Sequence, residues 1–120
     1  LGVTMSAARR TALLDHARRA DAVIIEDDYD GEFRLSGRPL DALKTLDADE
    51  RVFYVGTFSK SLFPALRVGY VVTPRWARAA LVAAKQASNW HVASTTQAIV
   101  ADFIAEGHLA RHVRRMRLVC

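Results

Sequence analysis

The sequence predicts an α/β fold, with short buried strands alternating with helices. Three observations carry this. Ala22-Val23-Ile24-Ile25 is a continuous apolar run that stops abruptly at charged residues, Val52-Phe53-Tyr54-Val55 and Val68 to Val72 are two further runs, and helical patterns stand before and after them. With 120 residues and 51% hydrophobic side chains, the chain suffices for one modest domain or for part of a larger one.

Thr4 or Ser6 can cap a first helix running to about Ala20, with Leu13, Leu14 and Ala17 on its inner side. The run from Ala22 to Ile25 reads as a strand buried on both faces, and it ends in Glu26-Asp27-Asp28-Tyr29-Asp30-Gly31. Polar chemistry therefore begins at the carboxyl end of a strand, where open α/β sheets generally bind ligands. From Phe33 to Glu50 the chain reads as a connector, with turns at Gly37 and Pro39 and a short helix through Leu43. Arg51 to Gly56 and Val68 to Val72 read as the second and third strands, and Thr57 to Arg67 loops between them with Lys60 inside. Pro74 suits the first turn of a helix to about Ser88, another helix spans Ser94 to Ala105, and Gly107 separates it from a basic helix. Residues 1–75 thus form a strand and loop region, and residues 76–120 a helical one.

The first twenty residues carry Arg9, Arg10, Arg18 and Arg19 without a continuous apolar core, and no apolar run approaches membrane-spanning length. A cytoplasmic location without a membrane partner is expected. The single cysteine, Cys120, excludes an internal disulfide framework and fits a reducing compartment. The net charge of +4 resides in Arg111, Arg114, Arg115 and Arg117. There Leu109, Val113, Met116 and Cys120 fall at i, i+4, i+7 and i+11, a helical apolar stripe. The arginines read first as a solvated face, because without interleaved aromatics they form a weak nucleic-acid signal.

Glu26, Asp28, Asp30 and Gly31 have the offsets of the start of an EF-hand calcium loop. That reading fails at the twelfth position, which is Gly37 rather than glutamate, and at the preceding strand, where a helix is required. His91 and His108 lack companions at metal-ligand spacing, so no metal is assigned. Trp76 and Trp90 lie in no motif and read as packing residues. A purely structural turn is the plain alternative for the acidic cluster. Strand alternation suggests something else: Asp27 and Tyr29, two apart, would face the same side if the extended backbone persists past Ile25. A carboxylate beside a phenol suits a pyridine ring bearing a phenolate, the acid keeping the ring nitrogen protonated and the phenol donating to the oxygen.

Gly56-Thr57-Phe58-Ser59-Lys60-Ser61 ends in Lys-Ser like a P-loop, but Ser59 stands where the glycine before the lysine belongs. A solvated lysine is the ordinary alternative. Against it, Thr57 and Ser59 precede Lys60, and Arg67 follows seven residues later, which brings hydroxyl and guanidinium phosphate ligands to the turn that holds an amine. An amine attacks an aldehyde only when unprotonated, so it needs desolvation or a neighbouring cation, and Arg67 can serve as that cation.

Two stretches complete the pattern: Ile25-Glu26-Asp27-Asp28-Tyr29-Asp30-Gly31-Glu32-Phe33-Arg34, and Tyr54-Val55-Gly56-Thr57-Phe58-Ser59-Lys60-Ser61-Leu62-Phe63-Pro64-Ala65-Leu66-Arg67-Val68-Gly69-Tyr70. On these the chain resembles the PLP (pyridoxal 5'-phosphate) domain of MocR-like regulators of the GntR superfamily, bacterial proteins that join a winged-helix DNA reader to an aminotransferase-like domain. Weaker similarity covers nearly the whole chain. The resemblance implies a partial fold-type I, aspartate aminotransferase-like large domain, with a mixed sheet flanked by helices. It also implies that Lys60 holds PLP as a Schiff base, Asp27 pairs with the pyridine nitrogen, Tyr29 bonds the ring oxygen, and Thr57 and Arg67 hold the phosphate, with Ser59 a further phosphate ligand. A small amine or amino acid ligand, DNA bound through a separate domain not in this chain, and a homodimer of the full protein belong to the same implication. Stand-alone class I and II aminotransferases are the alternative, since they resemble the lysine segment as well. They more often put proline directly before the tyrosine, a place that Asp28 takes here.

Overall fold

The computed structural model describes residues 5–29, 31 and 41–118. Thr4, Asp30, Gly37, Pro39 and Cys120, which the sequence reading used for a cap, for the calcium pattern, for turns and for a helical stripe, lie outside them.

Helix α1 spans Ala7–Arg19, and its N-cap is Ser6, whose hydroxyl oxygen accepts the Arg9 amide at 3.4 Å. Its inner face buries Ala17 as expected and also Arg10. Strand β1 is Ile24–Asp28, starting two residues and ending three residues later than the apolar run implied. The correction has a simple cause: pairing with the next strand begins at Ile24 opposite Val52 and continues to Asp28 opposite Gly56, so backbone hydrogen bonding carries the strand into the acidic residues. Nor is the strand buried on both faces. Its residues alternate between half-buried and exposed, and Ile25 is 72% exposed.

After a 3-10 turn at Leu43–Leu46 come β2 (Val52–Thr57) and β3 (Gly69–Val72). The sheet order is β1-β2-β3, with β1 parallel and β3 antiparallel to β2, a mixed sheet. The segment expected as a loop between β2 and β3 is instead largely helical: α2 spans Phe58–Ser61, and a 3-10 turn covers Pro64–Leu66. A 3-10 turn at Arg75–Ala77 after Pro74 leads into α3 (Arg78–Asn89), followed by α4 (Ser94–Ala105) and α5 (His108–Met116). Gly107 stands between α4 and α5 at φ 73°, a left-handed conformation that glycine adopts at no steric cost.

Among the described residues, buried apolar side chains are few and scattered: Ala17, Leu43, Val52, Val68, Pro74, Ala77 and Val100. Phe53 meets Trp76 edge to face at a centroid distance of 5.8 Å, and the Trp76 indole N–H donates to the Glu50 carbonyl at 2.8 Å, but Trp76 and Trp90 are both mostly exposed, so neither packs in a core as expected. The radius of gyration is 16.1 Å, against about 13.6 Å for a compact domain of this length. The elements therefore do not close over one core, and the Ile25, Tyr29 and Val71 side chains stay at least half exposed. Among the described residues no helix is long and apolar enough to cross a membrane.

Candidate functional site

The parallel pairing of β1 with β2 is what assembles the site. It brings the carboxyl ends of both strands to one edge of the sheet, with Asp27 beside Val55 and Asp28 beside Gly56. The antiparallel return of β3 starts at that same edge, because Gly69 pairs with Thr57. Asp27 and Tyr29 at the end of β1, Thr57, Ser59 and Lys60 at and beyond the end of β2, and Arg67 just before β3 are thus gathered at one end of three adjacent strands.

Strand alternation separates the acidic cluster into two sets. Ile25, Asp27, Val55 and Thr57 share one face with the exposed Tyr29 following in sequence, while Glu26, Asp28, Tyr54 and Gly56 share the other. On the second face the carboxylates are structural. Glu26 accepts the Leu43 amide at 2.7 Å and the Lys44 amide at 3.0 Å, closing the 3-10 turn, and pairs with the buried Arg10 at 3.4 Å. Asp28 accepts the Tyr54 hydroxyl at 3.0 Å. Burial, and then the hydrogen bond to Asp28, push the Tyr54 phenol well above its ordinary value, so it stays a donor.

On the first face the side chains are open. Asp27, Tyr29, Lys60 and Arg67 are exposed, and none of them forms a side-chain hydrogen bond or ion pair with another described residue. Lys60 sits in the helical turn α2, capped by Thr57, whose hydroxyl oxygen accepts the Ser59 amide at 3.1 Å. The same hydroxyl donates to the Val68 carbonyl at 3.4 Å, a long contact. Burial does not desolvate Lys60 here, contrary to one of the two routes considered for activating it; a neighbouring cation is the other. Arg67 holds φ 51° and ψ 36°, a left-handed conformation uncommon for a side-chain-bearing residue, as the cap of the Pro64–Leu66 turn. Next to Lys60, Ser61 is fully buried, and its hydroxyl has no hydrogen-bond partner among the described residues. Chemically, this end of the sheet carries a primary amine, a guanidinium, a carboxylate and a phenol. The donor set fits a phosphorylated, carbonyl-bearing aromatic ring.

A family profile described as aminotransferase class I and II matches residues 1–118. The chain belongs to this family. Its fold is that of the family's solved structures: kynurenine aminotransferase from Pyrococcus horikoshii, solved with PMP, superposes with a TM-score of 0.93 at 37% identity, covering 97% of this chain and 29% of that one. LysN, the α-aminoadipate aminotransferase of Thermus thermophilus solved with N-(5'-phosphopyridoxyl)-L-leucine, gives 0.85 at 32% identity, covering 95% of this chain and 30% of that one. The partial, mixed-sheet fold-type I architecture expected from the sequence therefore holds. Among curated relatives, the chain is 44% identical over 117 residues to the probable rhizopine catabolism regulatory protein MocR of Rhizobium meliloti, covering 98% of this chain and 24% of that protein. It is 42% identical to the transcriptional regulator TauR of Rhodobacter capsulatus (95% and 24%) and 38% identical to an aromatic-amino-acid aminotransferase of Thermococcus litoralis (96% and 28%). The chain thus spans about a quarter of the length of the curated relatives it matches.

The sequence did not disclose the roles of Asp28, Tyr54 and Glu26. Alternation puts Glu26 and Asp28 opposite Asp27, yet their partners lie 16 to 26 residues away and become visible only with the strand register. Among the described residues, no three His, Cys, Asp or Glu side chains converge in a manner suited to a metal ion.

Proposed function

We propose that this chain is the PLP-binding, aminotransferase-like region of a bacterial GntR/MocR-type transcriptional regulator, and that Lys60 holds PLP as a Schiff base. The observation that carries the reading is the gathering of Asp27, Tyr29, Thr57, Lys60 and Arg67 at one sheet edge by the β1-β2-β3 register. Likeness to MocR and TauR supports the regulatory context; in this reading a separate domain would bind DNA and the intact protein would be a homodimer.

Asp27 would hold the pyridine nitrogen in its protonated form, and Tyr29 would donate to the ring oxygen. The Arg67 fork and the Thr57 hydroxyl would grip the phosphate, with Ser59 as an additional donor. When bound, the cofactor supplies an electron sink for a substrate amine. Lys60 is exposed, so a small amine or amino acid could reach the same site and would compete with the Lys60 amine for the cofactor's aldehyde carbon. In a regulator the exchange changes ligand status and stops there.

The second reading, a class I or II aminotransferase, draws on the likeness to the Pyrococcus and Thermococcus enzymes. It further requires the freed Lys60 amine to carry a proton as acid and base.

The experiment adds PLP to the intact protein, follows the Lys60-dependent imine absorption band, and traps it with borohydride. Label on Lys60 and loss of the band in Lys60→Ala are expected; an unchanged band in Lys60→Ala overturns the assignment. Conversion of an added amino acid to its keto acid over many turnovers, with a second keto acid present to take up the amino group, would select the enzyme over the regulator.

A further inference from the structure

Behind the site, on the face of the sheet that Asp27 does not occupy, lies a linked set of side chains that the proposed function leaves unused. Asp28 is the last paired residue of β1 and stands opposite Gly56, which has no side chain to offer it. A Cβ on Gly56 would overlap the Tyr70 ring, so the glycine is what lets that ring cover the strand end. Tyr54, two residues back on the same face of β2, reaches across to give its hydroxyl proton to Asp28 at 3.0 Å. On its other flank Asp28 lies against Gly31, where a Cβ would overlap the carboxylate. Asp28 therefore sits between the Tyr54 hydroxyl and the Gly31 backbone.

The set continues toward Lys60. The Tyr54 and Tyr70 rings lie 6.2 Å apart, and Tyr70 lies 5.2 Å from Phe58, the first residue of the turn that carries the lysine. The Phe58 amide donates to the Val68 carbonyl at 3.0 Å. The ends of β1, β2 and β3 and the start of α2 are thereby tied to one another from behind.

Resting on the proposed function, we infer that Asp28 and Tyr54 are positioning residues: their hydrogen bond, seated on Tyr70 and Phe58, fixes Asp27 and Tyr29 relative to the Lys60 turn without touching the cofactor. A single charge-assisted hydrogen bond at a strand end is strong enough to matter and local enough to act on that end alone.

The test uses the intact protein and three variants. Tyr54→Phe keeps the ring and removes the donor, Asp28→Ala removes the acceptor, and Asp28→Asn keeps an acceptor oxygen. Without cofactor, hydrogen exchange of the Asp27, Asp28 and Tyr29 amides should quicken about tenfold in Tyr54→Phe and Asp28→Ala and stay within about threefold of wild type in Asp28→Asn, with the Ser94–Ala105 helix unchanged. With PLP, the dissociation constant should rise about tenfold in the first two variants. The pH midpoint of the Lys60 Schiff-base band should also move upward, as in Asp27→Asn, because a loosely held carboxylate keeps less positive charge on the ring nitrogen and so favours the protonated imine. Exchange that does not quicken at β1, or quickens equally in Ser94–Ala105, overturns the anchor. A loosened β1 with unchanged PLP affinity and midpoint overturns its link to the cofactor. A wild-type protein without a Lys60-dependent band overturns the proposed function and the cofactor link with it, while exchange still decides the anchor.

Discussion

The Thr57 hydroxyl oxygen accepts the Ser59 amide at 3.1 Å and so caps the helical turn that presents Lys60. A hydroxyl has two lone pairs and one proton. The cap uses a lone pair, and the proton rests on the Val68 carbonyl across 3.4 Å, a bond weak enough to exchange for a phosphate oxygen. Thr57 can therefore hold the turn and a phosphate at once. Thr57→Val loses both roles and Thr57→Ser keeps both. PLP titration should give about tenfold weaker binding for valine and little change for serine. Wild-type affinity in Thr57→Val would remove Thr57 from the phosphate site.

Arg67 couples two effects that substitution can separate. Its left-handed backbone, at φ 51°, burdens any residue with a Cβ, and its guanidinium is the candidate phosphate fork. Arg67→Gly should thus be more stable than Arg67→Ala, by roughly 1 kcal/mol in urea unfolding of the intact protein. Both variants should bind PLP more weakly than wild type, by a similar factor. If Arg67→Ala retained full affinity, Arg67 would not be a phosphate ligand.

These two sites show what the sequence made legible. Strand periodicity separated Asp27 and Tyr29 from their acidic neighbours, and the hydroxyl, lysine and arginine spacing marked the β2 to β3 segment. What stayed hidden depended on register. Extending β1 through Asp28 required the Val52 to Gly56 partner, because no local propensity favours a run of Glu-Asp-Asp as a strand. The helical turn around Lys60 was read as a loop, since four residues are too short to show periodicity and its cap uses Thr57, the residue singled out as a phosphate ligand. The burial of Arg10, which the sequence used only against a signal peptide, stayed hidden because its partners Glu26 and the Asp41 carbonyl lie 16 and 31 residues away.

That arginine gives a stability prediction independent of the cofactor. The Arg10 and Glu26 side chains are 8% and 18% exposed, so removing the acid leaves a desolvated guanidinium and two orphaned amides at Leu43 and Lys44. Glu26→Ala should cost about 3 kcal/mol in urea unfolding of the intact protein. A loss below about 1 kcal/mol would mean that water replaces the carboxylate at little cost.

Ser61 gives the opposite sign. Its hydroxyl is fully buried beside Lys60 with no partner among the described residues, so it bears a desolvation cost that no hydrogen bond returns. Ser61→Ala should leave stability unchanged or raise it by up to about 1 kcal/mol, with the Lys60 absorption band intact. Destabilisation beyond about 1 kcal/mol would reveal a partner for the hydroxyl in the intact protein.

The pH dependence of stability should carry the mark of Asp47. Burial by itself would raise its carboxyl, whose side chain is 1% exposed, but the Arg51 amide, the Lys44 ammonium and the Val52 amide, each within 3.0 Å, outweigh it and hold the group below its ordinary 3.8. The folded chain therefore releases this proton more readily than the unfolded chain does. The resulting stabilisation is complete above the ordinary value and is lost as pH falls through 3.8 toward the lowered folded value. Asp47→Asn should be less stable by about 2 kcal/mol near neutrality, and its stability should fall less steeply than wild type between about pH 5 and 2. Parallel curves for the two proteins across that range, from urea unfolding at closely spaced pH values, would show that Asp47 titrates alike in both states and that its three partners do not select the ionised form.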